Sequence, residues 1–266
     1  MEKRPLQIKE HDFKVGDVCP ATKANVRDDA LLTEDGQVIG LYLSDARKYS
    51  LSIGALLALA NAEFLSDRVP KSNMTRSAGI MDGYSKDGKR GRDKIVEQYS
   101  TILGAVPPRP HMRRPYPTMS SVHSVKTART FVRAMLALAQ ESQKIIAELA
   151  PSLSDEQASL FEQVPDKWKF GGNFTSSISN YNISANYHRD TGNIVGAVNV
   201  ILVKKNGVDG GQLNVPDYGA TFEQPDCSML VYPAWKSLHG VTPITTTRKD
   251  GYRNSFIFYP LKAFAE

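Results

Sequence analysis

The last third of the chain is written in short β-favouring runs separated by turn residues, and that rhythm restricts the fold more than any other feature. An apolar run at 198–203 ends at Asn206-Gly207, and Gly210-Gly211-Gln212-Leu213 opens the next segment. Further runs follow at 220–223 and at Met229-Leu230-Val231-Tyr232, and Arg253-Asn254-Ser255-Phe256-Ile257-Phe258-Tyr259 closes the series. Strands at this spacing, with Gly, Pro, Asn and Asp between them, indicate a sandwich or barrel rather than βαβ units.

Upstream, helical periods replace the strand pattern after one hairpin. Residues 30–43 alternate around Asp35-Gly36, a strong hairpin signal. An apolar stretch of 12 residues at 51–62 is too short to span a bilayer and predicts a buried helix from about Ser52 to Phe64, ended by Val69-Pro70. Ala128, Phe131, Val132, Met135, Leu138, Ser142, Ile145 and Leu149 recur at spacings of three and four, which predicts an amphipathic helix over 124–149 stopped by Pro151. Ser154-x-x-Gln157 then reads as a capping box for a short helix reaching about Val164. The expected fold class is α+β, a jelly-roll or cupin-like barrel braced by N-terminal helices. Residues 1–170 read as an α/β extension and 171–266 as the catalytic core, together one compact domain, since 266 residues at 41% hydrophobic can bury a full core.

Chemistry concentrates in the β-rich part. His188-Arg189-Asp190 is followed by His239 and then by Arg253. Two imidazoles and one carboxylate form the facial set that leaves positions open on a non-haem Fe(II) for oxygen and a cosubstrate. Residues two apart on a strand share a face, so His188 and Asp190 can reach one metal while Arg189 faces away. Arg253 and Ser255 also share a parity and can both point inward, where a buried guanidinium requires an anion and pairs a carboxylate bidentately. Asn182, Ser184 and Asn186 share the parity of His188. They can hydrogen-bond a cosubstrate or substrate, or can simply be polar residues at the end of a partly wet strand. Tyr232 and Trp235, just before His239, suit a pocket wall or the core.

Over residues 174–261 these parts together resemble the double-stranded β-helix of the Fe(II)/2-oxoglutarate dioxygenases. The resemblance rests on His-x-Asp, Gly-Gly-x-Leu, the distal histidine in His239-Gly240-Val241-Thr242-Pro243, and Arg253-x-Ser255. The wording Tyr187-His188-Arg189-Asp190-Thr191-Gly192, with Thr242-Pro243-Ile244-Thr245, is most similar to the TET/JBP branch, which oxidises the 5-methyl group of thymine or 5-methylcytosine in nucleic acid. The resemblance implies iron on His188, Asp190 and His239. It also implies molecular oxygen and 2-oxoglutarate as cosubstrates, with the distal carboxylate of the latter on Arg253 and Ser255 assisting, while strand parity adds Asn182 and Asn186 as candidate cosubstrate contacts.

Charge adds a candidate partner. The chain carries a formal +5, and residues 68–114 hold eleven Lys and Arg against four Asp and Glu. Lys86, Lys89, Arg90, Arg92 and Lys94 lie among glycines, and Arg113 and Arg114 follow a Pro-rich turn, a composition suited to reaching the phosphates of DNA. Solvated charge runs are the common alternative. Two cysteines, Cys19 and Cys227, form neither a disulfide framework nor a zinc spacing, and neither end reads as a signal peptide. An intracellular protein without membrane contact is expected. On the same scaffold the substrate can instead be a protein side chain or a small metabolite, or the barrel can be a non-catalytic binding module.

Overall fold

The computed structural model describes residues 1–73, 98–109 and 114–265, together with the backbone of 83–84 and 90–91. Among the described residues, ten strands build one large sheet. Its order runs Glu2–Pro5, Ala30–Glu34, Gln37–Leu43, Met229–Tyr232, Asn199–Asn206, Tyr252–Tyr259, Ser176–Tyr181, Tyr99–Val106 and Ser72–Asn73, with Thr118–Met119 beside Tyr99–Val106. Every pairing is antiparallel except the first. A smaller sheet of four strands, ordered Ala185–His188, His239–Val241, Leu213–Val215 and Ala220–Phe222, faces it, and Val208–Gly210 pairs with Ile244–Thr246 at one side. This is the large-sheet and small-sheet arrangement of the double-stranded β-helix. The ladders form separate sheets rather than one closed barrel.

Helices cover the outer face of the large sheet: α1 (Ile53–Leu65), α2 (Arg129–Leu149) and α3 (Pro151–Phe161). Helix α1 buries Ile53, Leu57, Ala60 and Phe64, one face at spacings of four, three and four. Helix α2 buries Phe131, Met135, Leu138, Ser142 and Ile145, as its period predicts, but it begins at Arg129 after two 3₁₀ turns rather than at Ser124. Phe64 stacks on Phe131 with ring centres 5.8 Å apart and meets the edge of Phe256. The principal core therefore unites Leu41, Phe64 and Phe131 with Val200, Phe256 and Phe258.

Two local expectations need revision or gain a cause. Asp35 and Gly36 both adopt left-handed backbone, with φ of 49° and 81°, as a two-residue type I′ hairpin turn requires. The capping box at Ser154 does not form, because α3 starts three residues earlier with Pro151 in its first turn. Proline has no amide to donate, so it ends α2 and opens α3 at the same point. Gln157 instead reaches out of the helix, donating to the Gly196 carbonyl at 3.2 Å and accepting from the Val198 amide at 2.9 Å. It thereby anchors the loop that follows Asp190.

Register along Tyr252–Tyr259 divides the chemistry from the core. Phe256 and Phe258 enter the helix-covered core, and Asn254 bonds Asn61 of α1. Arg253, Ser255, Ile257 and Tyr259 point the other way, into a cavity between the two sheets.

Candidate active site

That cavity holds about 470 Å³, and His188, Asp190 and His239 lie at its wall. His188 ends the strand Ala185–His188 and pairs across the ladder with His239, the first residue of His239–Val241. Their rings are 4.3 Å apart between centres. Asp190 lies beyond the strand, so turn geometry rather than strand alternation brings it back to the histidine. Its amide donates to the Ala234 carbonyl at 3.0 Å, and the carboxylate oxygen Oδ1 is 3.8 Å from His188 Nε2. One ligand atom from each of the three residues lies within 4.8 Å of the other two.

Surrounding groups prepare these atoms for a cation. His188 Nδ1 donates to the Asn186 carbonyl at 2.7 Å, and His239 Nδ1 donates to the Ser237 carbonyl at 2.9 Å. A carbonyl can only accept, so each ring carries its proton on Nδ1 and presents the Nε2 lone pair. Asp190 accepts from Asn199 Nδ2 at 2.8 Å through Oδ2, leaving Oδ1 for a metal, and Asn193 Nδ2 in turn donates to Asn199 Oδ1 at 2.7 Å. Burial, with His188 beside it, pushes the His239 pKa well down, keeping the ring neutral. Tyr232 meets its ring edge-on at 5.3 Å.

At the other end of the cavity Arg253 is 1% exposed. Loss of solvent pushes its pKa down to about 10. Among the described residues no carboxylate pairs with it. Nη2 donates to Gln224 Oε1, while Nε is buried without a partner. An isolated buried guanidinium with an unused donor is a site for an anion. Gly211 makes room for it: φ is +69°, and a Cβ there would come within 2.6 Å of Arg253 Nε. Ser255 lines the cavity beside Arg253. Donor set, tautomers and anion site all fit Fe(II) with 2-oxoglutarate.

The remaining expected residues are distributed differently. Asn182 is fully buried at a left-handed turn with φ 54°, outside the cavity lining, and its Oδ1 accepts from the Arg253 amide at 2.8 Å. Asn186 is exposed, and its side chain donates to the Gly16 carbonyl at 3.1 Å while its own carbonyl holds His188. Arg189 donates to the Lys236 carbonyl and to Asp217. Lys86, Lys89, Arg92, Lys94 and Arg113 lie outside the described residues, as does the Arg90 side chain; Arg114 is exposed, its backbone bridging to Arg109. Among the described residues no helix is long and apolar enough to cross a membrane. Asn199, Gln224 and Gly211 escaped assignment from sequence. A polar Asn199 inside the apolar run 198–203 and the Gly210-Gly211 pair are the local signals that mark two of them, and Gln224 has none.

Comparison with known proteins agrees with this geometry. The model of the Tet_JBP family, described as the oxygenase domain of the 2OGFeDO superfamily, matches residues 108–262. No curated protein matches the chain in sequence. The fold is similar to NgTET1 in complex with 5mC DNA, with a TM-score of 0.58 at 13% identity over 94% of this chain and 83% of that one. A 2OG-Fe(II) oxygenase family oxidoreductase from Burkholderia pseudomallei aligns at a TM-score of 0.43 and 14% identity over 76% of each chain. By a family match that spans more than half of its length, and with a His-Asp-His cluster that fits iron, the chain belongs to the TET/JBP oxygenase family and is an Fe(II)/2-oxoglutarate-dependent dioxygenase.

Proposed function

We propose that this dioxygenase hydroxylates the 5-methyl group of a pyrimidine base, 5-methylcytosine or thymine, in DNA. The observation that carries the reading is one cavity with three convergent ligand atoms and an unpaired buried Arg253, in a chain of the TET/JBP family. The bound DNA of the similar NgTET1 structure supports the substrate class. Iron with dioxygen and 2-oxoglutarate supplies, when bound, the oxidising power that a methyl C–H bond demands and that side chains lack.

All other work falls to the chain. His188 and His239 offer Nε2 and Asp190 offers Oδ1 as ligands, held by Asn186, Ser237 and Asn199. Arg253 takes the distal carboxylate of 2-oxoglutarate, with Ser255 beside it. Asn182 fixes the Arg253 backbone and Asn186 the His188 ring, so both serve the cosubstrate site from behind. Ile178, Ile183, Ile201 and Ile257 give the cavity apolar walls that exclude water and accept a methyl group. Because that methyl lies in the major groove of a duplex and the ligand cluster lies in a recess, the base is flipped out, at a cost of a few kcal/mol. The basic segment 68–114, with Lys86, Lys89, Arg90, Arg92, Lys94, Arg113 and Arg114, holds the phosphates.

The test is incubation with Fe(II), 2-oxoglutarate and DNA containing thymine or 5-methylcytosine, with nucleosides identified by mass spectrometry alongside succinate. Hydroxymethylated base with stoichiometric succinate is expected. Succinate formation without an oxidised base in either DNA would move the substrate to a protein side chain or metabolite, and no succinate under any condition would indicate a binding module.

A further inference from the structure

Outside the ligand cluster, one carboxylate joins three segments that are far apart in sequence. Asp217 lies in the 3₁₀ turn Pro216–Tyr218. Its Oδ2 accepts from Arg189 Nη2 at 3.2 Å and from the Leu238 amide at 2.7 Å, and its Oδ1 bonds His11 Nε2 at 2.7 Å. Arg189 is the residue between His188 and Asp190, and Leu238 immediately precedes His239. Arg189 Nε adds a bond to the Lys236 carbonyl at 3.0 Å, next to the Ser237 carbonyl that orients the His239 ring.

The backbone ladder does not secure these segments unaided. Its register shifts between Ala185 and His188, and Asp190 lies outside any strand. The links through Asp217 supply what the ladder lacks, fixing the span between the segment that carries His188 and Asp190 and the one that carries His239. His11 brings in a third element. Residues 9–17 run behind the strand that bears His188: Gly16 donates to the Tyr187 carbonyl and Tyr187 to the Asp17 carbonyl, both at 2.8 Å, and Phe13 lies 4.8 Å from the Tyr187 ring. The Asp217 carbonyl also accepts from the Lys9 amide at 2.8 Å. This strap is outside the residues matched by the family model.

We propose that Asp217 is a positioning residue for the iron site, holding the two ligand-bearing segments at the spacing a single ion requires, with the N-terminal strap as its brace. The proposal rests on the assignment of His188, Asp190 and His239 as ligands. Partners that orient metal ligands typically change affinity by about 10–100-fold, and one step further out the lower end applies.

The experiment titrates Co(II) into the wild-type chain, the Asp217→Asn and Arg189→Met variants, their double variant, and His188→Ala, each checked for folding by circular dichroism. Affinity and the visible spectrum of bound Co(II) are read together, because that spectrum reports ligand geometry. Asp217→Asn and Arg189→Met are each expected to weaken Co(II) binding roughly ten-fold and to alter its spectrum, with the double variant little worse than either single one because both break the same link. Wild-type affinity and spectrum in the folded Asp217→Asn protein overturn the proposal, as does a lowered melting temperature with unchanged Co(II) binding. Should Asp217→Asn fail to fold, Arg189→Met decides alone, since that side chain is 38% exposed and its loss is tolerable. His188→Ala separates the two levels: undiminished Co(II) binding there would sink the ligand assignment itself.

Discussion

Replacing Arg253 by methionine should move stability and cosubstrate binding in opposite directions. Loss of solvent around the guanidinium lowers its pKa from the ordinary arginine range to about 10. At about 1.4 kcal/mol per pH unit this corresponds to roughly 3 kcal/mol of unfavourable burial. The lowered pKa of a cation means that its burial opposes folding at every pH below about 10, and that the penalty fades only as pH rises from there toward the ordinary arginine range. It is therefore present in full at neutral pH. Methionine keeps much of the apolar stem but removes the bond to Gln224 and strands that amide, at a cost of about 1–3 kcal/mol. The difference leaves the cosubstrate-free variant as stable as the wild type or up to about 2 kcal/mol more stable. Deleting an ordinary buried side chain of this size costs about 2–5 kcal/mol instead. Cosubstrate reverses the order. At one hundred times its dissociation constant a ligand adds about 2.7 kcal/mol, or roughly 5–10 °C in Tm for a chain of this size, and only the wild type should gain it. Calorimetry of both proteins with Mn(II) under anaerobic conditions, with and without 2-oxoglutarate, measures all four states. A variant that melts far below the wild type without cosubstrate, or one that keeps the wild-type shift with it, refutes the reasoning.

Three further outcomes are expected. Gly211→Ala combines a left-handed backbone that costs about 1–2 kcal/mol for a side chain with overlap against Arg253, worth about 1–3 kcal/mol; denaturant unfolding should show the loss, and a raised KM for 2-oxoglutarate should accompany it. Asn199→Ala removes the donor on Asp190 Oδ2 and should weaken metal binding by about 10–100-fold in a Co(II) titration, and unaltered affinity would mean that Asp190 is held by other means. Charge reversal at Lys89, Arg90 and Arg92 should flatten the salt dependence of DNA binding by about 0.9 in logarithmic slope for each phosphate that is no longer neutralised; unchanged binding and turnover would remove the segment from the substrate interface.

The parts of this molecule that sequence discloses are those governed by local rules. Asp35-Gly36 announces its turn because few residues tolerate left-handed backbone, α1 is legible as an unbroken apolar stretch, and the period of α2 follows from one-sided burial. His188 and Asp190 are legible because two of the three proposed metal ligands are near neighbours, and Arg253 because its strand alternates cleanly. What stays hidden depends on encounters across the fold. Asp190 meets Asn199, Arg253 meets Gln224, and Asp217 gathers His11, Arg189 and the Leu238 amide. None of these pairs has a spacing that a helix or strand imposes. Asn182 and Asn186 show the limit from the other side: strand parity suggests that both face the cavity, but the left-handed turn at Asn182 breaks the strand between them, and each contributes through backbone-directed bonds instead.

The division of labour along Tyr252–Tyr259 bears on how such an enzyme can change. Odd-numbered positions, Arg253 through Tyr259, address the cavity, while Phe256 and Phe258 belong to the packing against the helices. A substitution at Ile257 or Tyr259 can reshape what the cavity admits without disturbing the aromatic cluster beneath. A single inserted or deleted residue has no such freedom, because it would exchange the two sets, sending a guanidinium into the core and phenyl rings into the cavity. Along this strand, selection for new substrates is thus confined to point replacement on alternate residues, with strand length held constant by the core on its other face.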